Sequence, residues 1–282
     1  MKYRAEIDGL RALAVVPVIL FHAGLEIFSG GFVGVDVFFV ISGYLITTIL
    51  LEDIDNQRFS IVSFYERRIR RIFPALFLVM LVCIPFAWAV MNSTQMRDFS
   101  ASVFSTSVFL SNFYFLSQAG YFFPESELQP LLHTWSLSVE EQYYVFFPLL
   151  LAAFVKRSHR LALVAITLLC AVSFLIAEWG WRENAPRAFF FSLTRFWELL
   201  SGSIAALLLS RRTLSPSNVY SAIGLIAVLI SIFLYDESTP FPSAYTLLPV
   251  GGTVLVILFG GGQTLASKLL SVPVMVGVGL IS

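Results

Sequence analysis

The feature that most limits how this chain can fold is a succession of long apolar runs. They fall at about 10–28, 32–51, 73–91, 99–116, 139–155, 161–178, 188–209, 218–235 and 244–260, with a shorter one at 269–282. About 20 apolar residues is what an α-helix needs to cross the hydrocarbon core of a bilayer. None of the runs shows the period-2 alternation of an outer-membrane barrel. Composition points the same way, with 57% hydrophobic and 13% charged residues, where a soluble domain carries about 25% charged. The expected fold is all-α: a polytopic transmembrane helical bundle of about 9 apolar segments. The formal net charge of zero gives no bulk attraction to nucleic acid or to an anionic surface.

Lysines and arginines orient such a bundle. Lys2 and Arg4 precede the first segment, and Arg58, Arg67, Arg68, Arg70 and Arg71 follow the second. Lys156, Arg157 and Arg160 follow the fifth, Arg211 and Arg212 the seventh, and Lys268 the ninth. With these on the cytoplasmic side the N-terminus is cytoplasmic. The fourth segment, rich in Ser, Thr, Asn and Phe, is then expected as a re-entrant or interfacial helix. The alternative, a spanning fourth segment with Lys156–Arg160 outside, runs against the positive-inside bias. The first segment resembles a signal peptide but holds Arg11 and His22 and lacks a small-x-small cleavage site, so it reads as a retained span. Cys83 and Cys170 sit in apolar runs without metal-type spacing and read as small core residues. No metal site or soluble-type cofactor motif is present, and the chain reads as one membrane domain without a soluble module.

Five groups of residues stand out. Arg11 and His22 lie eleven apart, which returns them to nearly the same helix face about 16 Å apart along the axis. That spacing places the arginine near one surface and the histidine near mid-depth. Ionisable groups within a span are functional candidates by default. His22 suits a general base, with packing as the plain alternative, and Asp8 can pair with Arg11 at i, i+3. Asp36, in the glycine-rich start of the second segment, needs a buried partner. Arg68 and Arg71 share a helix face within an arginine cluster that either fixes topology or binds phosphate through guanidinium forks. His133, Trp135, Glu140 and Glu141 form a polar–aromatic group at the outer start of the fifth segment, suited to interfacial anchoring or to stacking on carbohydrate. Arg195 and Glu198, at i, i+3, either neutralise each other for packing or line a site.

These stretches are also linked in a recognisable order. Ile7-Asp-Gly-Leu-Arg-Ala-Leu-Ala with Arg11-x10-His22 comes first, then Gly31-Phe-Val-Gly-Val-Asp-Val-Phe-Phe-Val-Ile-Ser-Gly-Tyr-Leu. The Arg-x-x-Arg-Ile-x-Pro pattern from Arg68 to Pro74, His133-Thr-Trp-Ser-Leu-Ser-Val-Glu-Glu-Gln and Arg195-Phe-Trp-Glu-Leu-Leu-Ser-Gly follow. Over nearly its whole length the chain resembles the acyltransferase 3 family of bacterial membrane O-acyltransferases, which includes O-antigen acetylases. The resemblance implies transfer of an acyl group, usually acetyl from acetyl-CoA, to a hydroxyl of a cell-envelope glycan. It implies functional roles for Arg11, His22, Arg68 and Arg71 and a multi-pass location in the bacterial inner membrane. Members of the family continue past the position of Ser282 into further spans, so a fragment or truncated product is expected.

Joined to the positions along the chain, the resemblance gives an expected division of labour. Arg11 and His22 are catalytic, with His22 acting as base or as nucleophile, and Arg68 and Arg71 bind acyl-CoA. Asp36, His133, Trp135, Glu140, Arg195 and Glu198 bind or support the acceptor, and no cofactor beyond the acyl-CoA substrate is expected. Two rivals are a transporter or flippase for lipid-linked sugars and a non-enzymatic membrane subunit. Either would keep function in a His22→Gln variant.

Overall fold

A computed structural model describes residues 3–118, 129–212 and 214–282. Among them the chain forms twelve α-helices and no strand. The first five are α1 (Ala5–His22), α2 (Gly34–Asp55), α3 (Ile61–Val90), α4 (Ser93–Ser107) and α5 (Ser111–Gln118). Then come α6 (Thr134–Val155), α7 (His159–Phe190), α8 (Phe196–Arg211), α9 (Asn218–Leu234) and α10 (Leu247–Phe259). The short helices α11 (Leu265–Leu270) and α12 (Pro273–Ile281) close the order. Three helical stretches are long and apolar enough to cross a membrane: 31–55, α3 and α7. Helices α9 and α10 are apolar but shorter.

The expected segments and the helices differ where charge or geometry overrides hydropathy. Helix α3 begins at Ile61 rather than near 73, its first N–H groups capped by the Ser60 hydroxyl. Its opening turns are amphipathic, with Phe64 buried and Arg67 and Arg70 exposed, and the good helix formers Glu and Arg carry the coil through them. The first segment is expected to run to about 28, but α1 stops at His22, where Gly24 takes a left-handed φ of 80°. The seventh segment, expected as 188–209, is broken by a 3-10 turn at Ser192–Thr194. Its first residues belong to α7, which runs on past a kink at Asn184.

The fourth segment is two helices. Asn92 and Gln95 form a capping box at the start of α4, and the chain reverses at Phe109, a non-glycine residue with φ 54°. Helix α5 then doubles back, so that the Tyr114 hydroxyl reaches the Asp98 carbonyl at 3.0 Å. Buried side chains tie this hairpin to α6. Ser111 and Ser138 share a 2.7 Å hydrogen bond, and Gln142 donates to the Phe109 carbonyl at 2.9 Å and to Asn112 at 2.8 Å.

The centre of the bundle is the α2–α8 pair. A Cβ on Gly43 would lie 1.9 Å from the Leu199 carbonyl oxygen, and one on Gly202 the same distance from that of Val40. The two backbones therefore touch, as small residues allow between apolar helices. Thr47 donates to Ser203 across the contact at 2.7 Å, and Tyr143 of α6 reaches the same hydroxyl at 2.8 Å. Helices α3 and α7 lie at the margin with Leu78, Leu81, Phe86, Trp88, Leu168 and Leu175 exposed, the apolar face a helix presents to lipid. Cys83 and Cys170 are free thiols, with Cys170 packed against α8 near the Trp197 carbonyl.

Candidate active site

The candidate residues gather at two levels. Helix α1 carries one member of each. Arg11, two turns into α1, lies 3.7 Å from Asp8 and also donates to the Ser282 carbonyl. His22 is the last residue of the helix and is exposed, so it sits at the far end of α1 rather than at mid-length. Its Nδ1 lies 2.8 Å from the Val18 carbonyl oxygen. A carbonyl can only accept, so Nδ1 is the donor in this bond, and in the neutral ring Nε2 is then the acceptor.

The level of Arg11 is built from α1, α2, α3 and α6. The four arginines at the start of α3 divide by helical position. Arg67 pairs with Asp53 at 2.8 Å and Arg70 with Glu66 at 2.7 Å, both partly or largely exposed. Arg68, three before Arg71, is half-buried against two rings. The Arg68 guanidinium lies 4.8 Å from the centre of the Tyr144 ring and 5.9 Å from that of Phe64. Arg71 remains exposed and is an electrostatic neighbour of Arg11 and Glu140.

Glu140 belongs to this level as well. Helix α6 starts at Thr134 and carries Glu140 about 10 Å beyond His133 along its axis. There it accepts from the Tyr144 hydroxyl at 3.4 Å and has Ser42, Arg68, Arg71 and Arg11 as electrostatic neighbours. Its surroundings are therefore those of the arginines, away from the outer rim where sequence position placed it. Ser42 and Tyr144 were not singled out as site residues from sequence. Tyr144 stands four residues after Glu140, a spacing that puts both on one helix face. Ser42 comes from α2, and no local pattern connects it to α6. A cavity of about 560 Å³ opens beside Arg68 between α3, α6 and the hairpin tip, lined in part by Ile72, Phe109, Glu141 and Phe146.

The other level holds His22 and His133, which are electrostatic neighbours. Desolvation at the rim, and then the nearby His22, hold the His133 imidazole below its ordinary value, against a hydrogen bond with Pro130. A second cavity of about 400 Å³ adjoins this end, lined by Phe21, Leu25, Glu26, Ser29, Asp236 and Glu237 among others. Phe21 and Gly24, which flank His22 in sequence, belong to its lining, and Glu26, Asp236 and Glu237 make one wall rich in carboxylates.

Asp36, Trp135, Arg195 and Glu198 lie behind the second level, closed off from it. Arg195 is 1% exposed, Asp36 1% and Glu198 0%. The guanidinium reaches Asp36 at 3.0 Å and Glu198 at 2.9 Å, and the rings of Phe39, Trp135 and Phe189 stand 5.4–5.5 Å from its central carbon. These four side chains are packed in the interior and present no surface to a sugar. Among the described residues no three His, Cys, Asp or Glu side chains come together as a metal site. Arg68, Arg71 and Arg11 are the groups placed to hold a phosphorylated ligand.

Comparison with known proteins follows the same residues. A family model described as an acyltransferase domain matches residues 4–273. A provisionally named O-acetyltransferase of Staphylococcus aureus strain MSSA476 is 30% identical over 298 residues, which is 99% of this chain and 49% of that protein. O-acetyltransferase OatA of Staphylococcus aureus strain NCTC 8325 is 35% identical over 215 residues, 73% of this chain and 34% of its own length. The chain thus spans about half the length, or less, of these curated relatives. No solved structure matches it. With the family model covering nearly the whole chain and the motifs of the two levels in place, this all-helical membrane protein belongs to the acyltransferase 3 family.

Proposed function

We propose that the chain is the transfer domain of a membrane O-acyltransferase that moves an acyl group, taken to be acetyl, from acyl-CoA to a hydroxyl of a cell-envelope polysaccharide. In this reading it sits multi-pass in the bacterial inner membrane with its N-terminus cytoplasmic. Lipopolysaccharide O-antigen is the acceptor the family resemblance favours. The observation that carries the proposal is the His22 tautomer. A histidine whose Nδ1–H is held by the Val18 carbonyl offers Nε2 as a proton acceptor at the end of α1, whose flanking residues Phe21 and Gly24 line a cavity, about 16 Å along α1 from a cluster of guanidiniums.

The division of labour follows from the two levels. Arg68 and Arg71, with Arg11 behind them, hold the phosphates of the donor by charge-assisted hydrogen bonds, and the extended thiol arm reaches toward His22. The acceptor enters beside Glu26 and Asp236, whose carboxylates accept hydrogen bonds from sugar hydroxyls. His22 Nε2 takes the proton of the acceptor hydroxyl as its oxygen bonds to the thioester carbonyl carbon. The carbon–sulfur bond then breaks, and the thiolate takes the proton back from the imidazolium. Glu140, held by the Tyr144 hydroxyl and beside Ser42, keeps the guanidiniums spaced and partly neutralised between turnovers.

The test is direct. The membrane-embedded protein is supplied with acetyl-CoA and envelope polysaccharide, and free thiol release and polysaccharide mass are followed together. The reading predicts one thiol released for each acetyl group gained by the glycan. Movement of glycan across the membrane without thiol release would favour the transporter reading instead.

A further inference from the structure

The cluster around Arg195 is too costly for filler. Three ionisable groups lie in a place closed to water, and taking each out of solvent costs several kcal/mol unless its partners are well placed. Two carboxylates face one guanidinium, so either acid alone suffices to neutralise it. The second acid and the three rings go beyond charge balance and fix where the guanidinium plane lies.

What they fix leads back to the reacting end. Trp135 packs against both the guanidinium at 5.5 Å and the Phe189 ring at 4.7 Å, with Phe39 and Phe190 edge-on at 6.1 and 5.6 Å. Those partners come from α2, α7 and the residue that opens α8, so the first turn of α6 is gripped from three sides. His133 is the residue immediately before α6 and the neighbour of His22. We infer that Arg195, held by Asp36 and Glu198, is a positioning residue: it locks Trp135 by cation–π contact and thereby sets the spacing of His133 from His22. This rests on the reading of His22 as the reacting group.

Four variants in the membrane-embedded chain test it: Arg195→Lys, Trp135→Phe, Asp36→Asn and Glu198→Gln. Lysine keeps the charge but loses the planar face that stacks on rings. R195K and W135F are each expected to lower kcat about 10- to 100-fold, the scale of a misplacement near 1 Å. The donor KM should stay within about twofold, because the phosphate-binding arginines lie at the other level. The double variant R195K/W135F should lose no more than the worse single one, and D36N and E198Q, which loosen the guanidinium plane but keep its face on Trp135, should each lower kcat by a smaller factor than R195K. A second readout needs no activity: carbethoxylation rates of His22 and His133, followed by mass spectrometry, should change in R195K and W135F.

Folded R195K with wild-type kcat and unchanged labelling would overturn the inference, as would additive losses in the double variant. Altered labelling in a protein that transfers no acyl group would instead sink the catalytic reading and leave the positioning role standing.

Discussion

Two groups of arginines in this molecule show how surroundings decide what a guanidinium does. At the start of α3, Arg68 and Arg71 have no carboxylate within ion-pair distance among the described residues, and Arg71 is exposed. Near the start of α8, Arg195 has two carboxylates within 3.0 Å and three rings around it. The first pair has unused hydrogen-bonding capacity that faces outward, which is what an anionic ligand needs. The second is enclosed with its two counter-charges and open to no ligand. A charge left under-paired at a surface reads as a binding site, and one doubly paired in the interior reads as a fixture.

Removing the Arg195 guanidinium should give the largest effect. Arg195→Met leaves Asp36 and Glu198 facing each other unpaired in the interior, at a cost of about 3–5 kcal/mol. The protein should unfold at a markedly lower temperature in detergent, or fail to accumulate in the membrane. Wild-type thermal stability in R195M would break the contrast between the two groups.

The donor arginines should respond differently. Arg68→Ala and Arg71→Ala are each expected to raise the donor KM about 10- to 100-fold, the range of a lost hydrogen bond to a charged group. Folding should be little changed. The neighbours Arg67 and Arg70, spent on exposed pairs of about 0–1 kcal/mol, should shift KM by less than about twofold when replaced by alanine. Steady-state kinetics with acetyl-CoA on the four variants separates the pairs, and equal effects would mean that the cluster acts only as a diffuse field.

The sequence made part of this contrast legible. The i, i+3 spacing of Arg68 and Arg71 put them on one face, and the pairing of Asp8 with Arg11 followed from the same rule. Asp36 is expected from sequence to need a buried partner, and the i, i+3 spacing of Arg195 and Glu198 lets them neutralise each other or line a site. What spacing could not show is that these are one cluster, because Asp36 lies in α2 and Arg195 just before α8, helices whose backbones close on each other at Gly43 against Leu199 and Gly202 against Val40. The aromatic cage was invisible for the same reason. Glu140 was assigned to the outer rim because it follows His133 closely in sequence, yet the helix carries it two turns inward to the arginines. The start of α3 was missed because hydropathy sees only its apolar half, and the charged amphipathic turns before residue 73 look like loop.

A smaller effect is expected from pH. His133 is held below its ordinary value by desolvation and then by His22, so the unfolded chain binds its proton more readily than the folded one. Stability from this group is therefore complete above the ordinary histidine value of about 6.5 and declines as pH falls through the window below it. His133→Gln should flatten that part of the stability profile. An unchanged profile would mean that His133 is not neutral by virtue of its place beside His22.

The central claim is that His22 Nε2, freed by the bond from Nδ1 to Val18, accepts the proton of the acceptor hydroxyl. The measurement that tests it most directly is the initial rate of acetyl transfer from acetyl-CoA to polysaccharide by His22→Ala in the membrane. Removal of a general base costs about 10²–10⁴-fold, so the account predicts a rate lowered by at least that lower bound, with protein level and donor KM preserved. Transfer by H22A at near wild-type rate would contradict it.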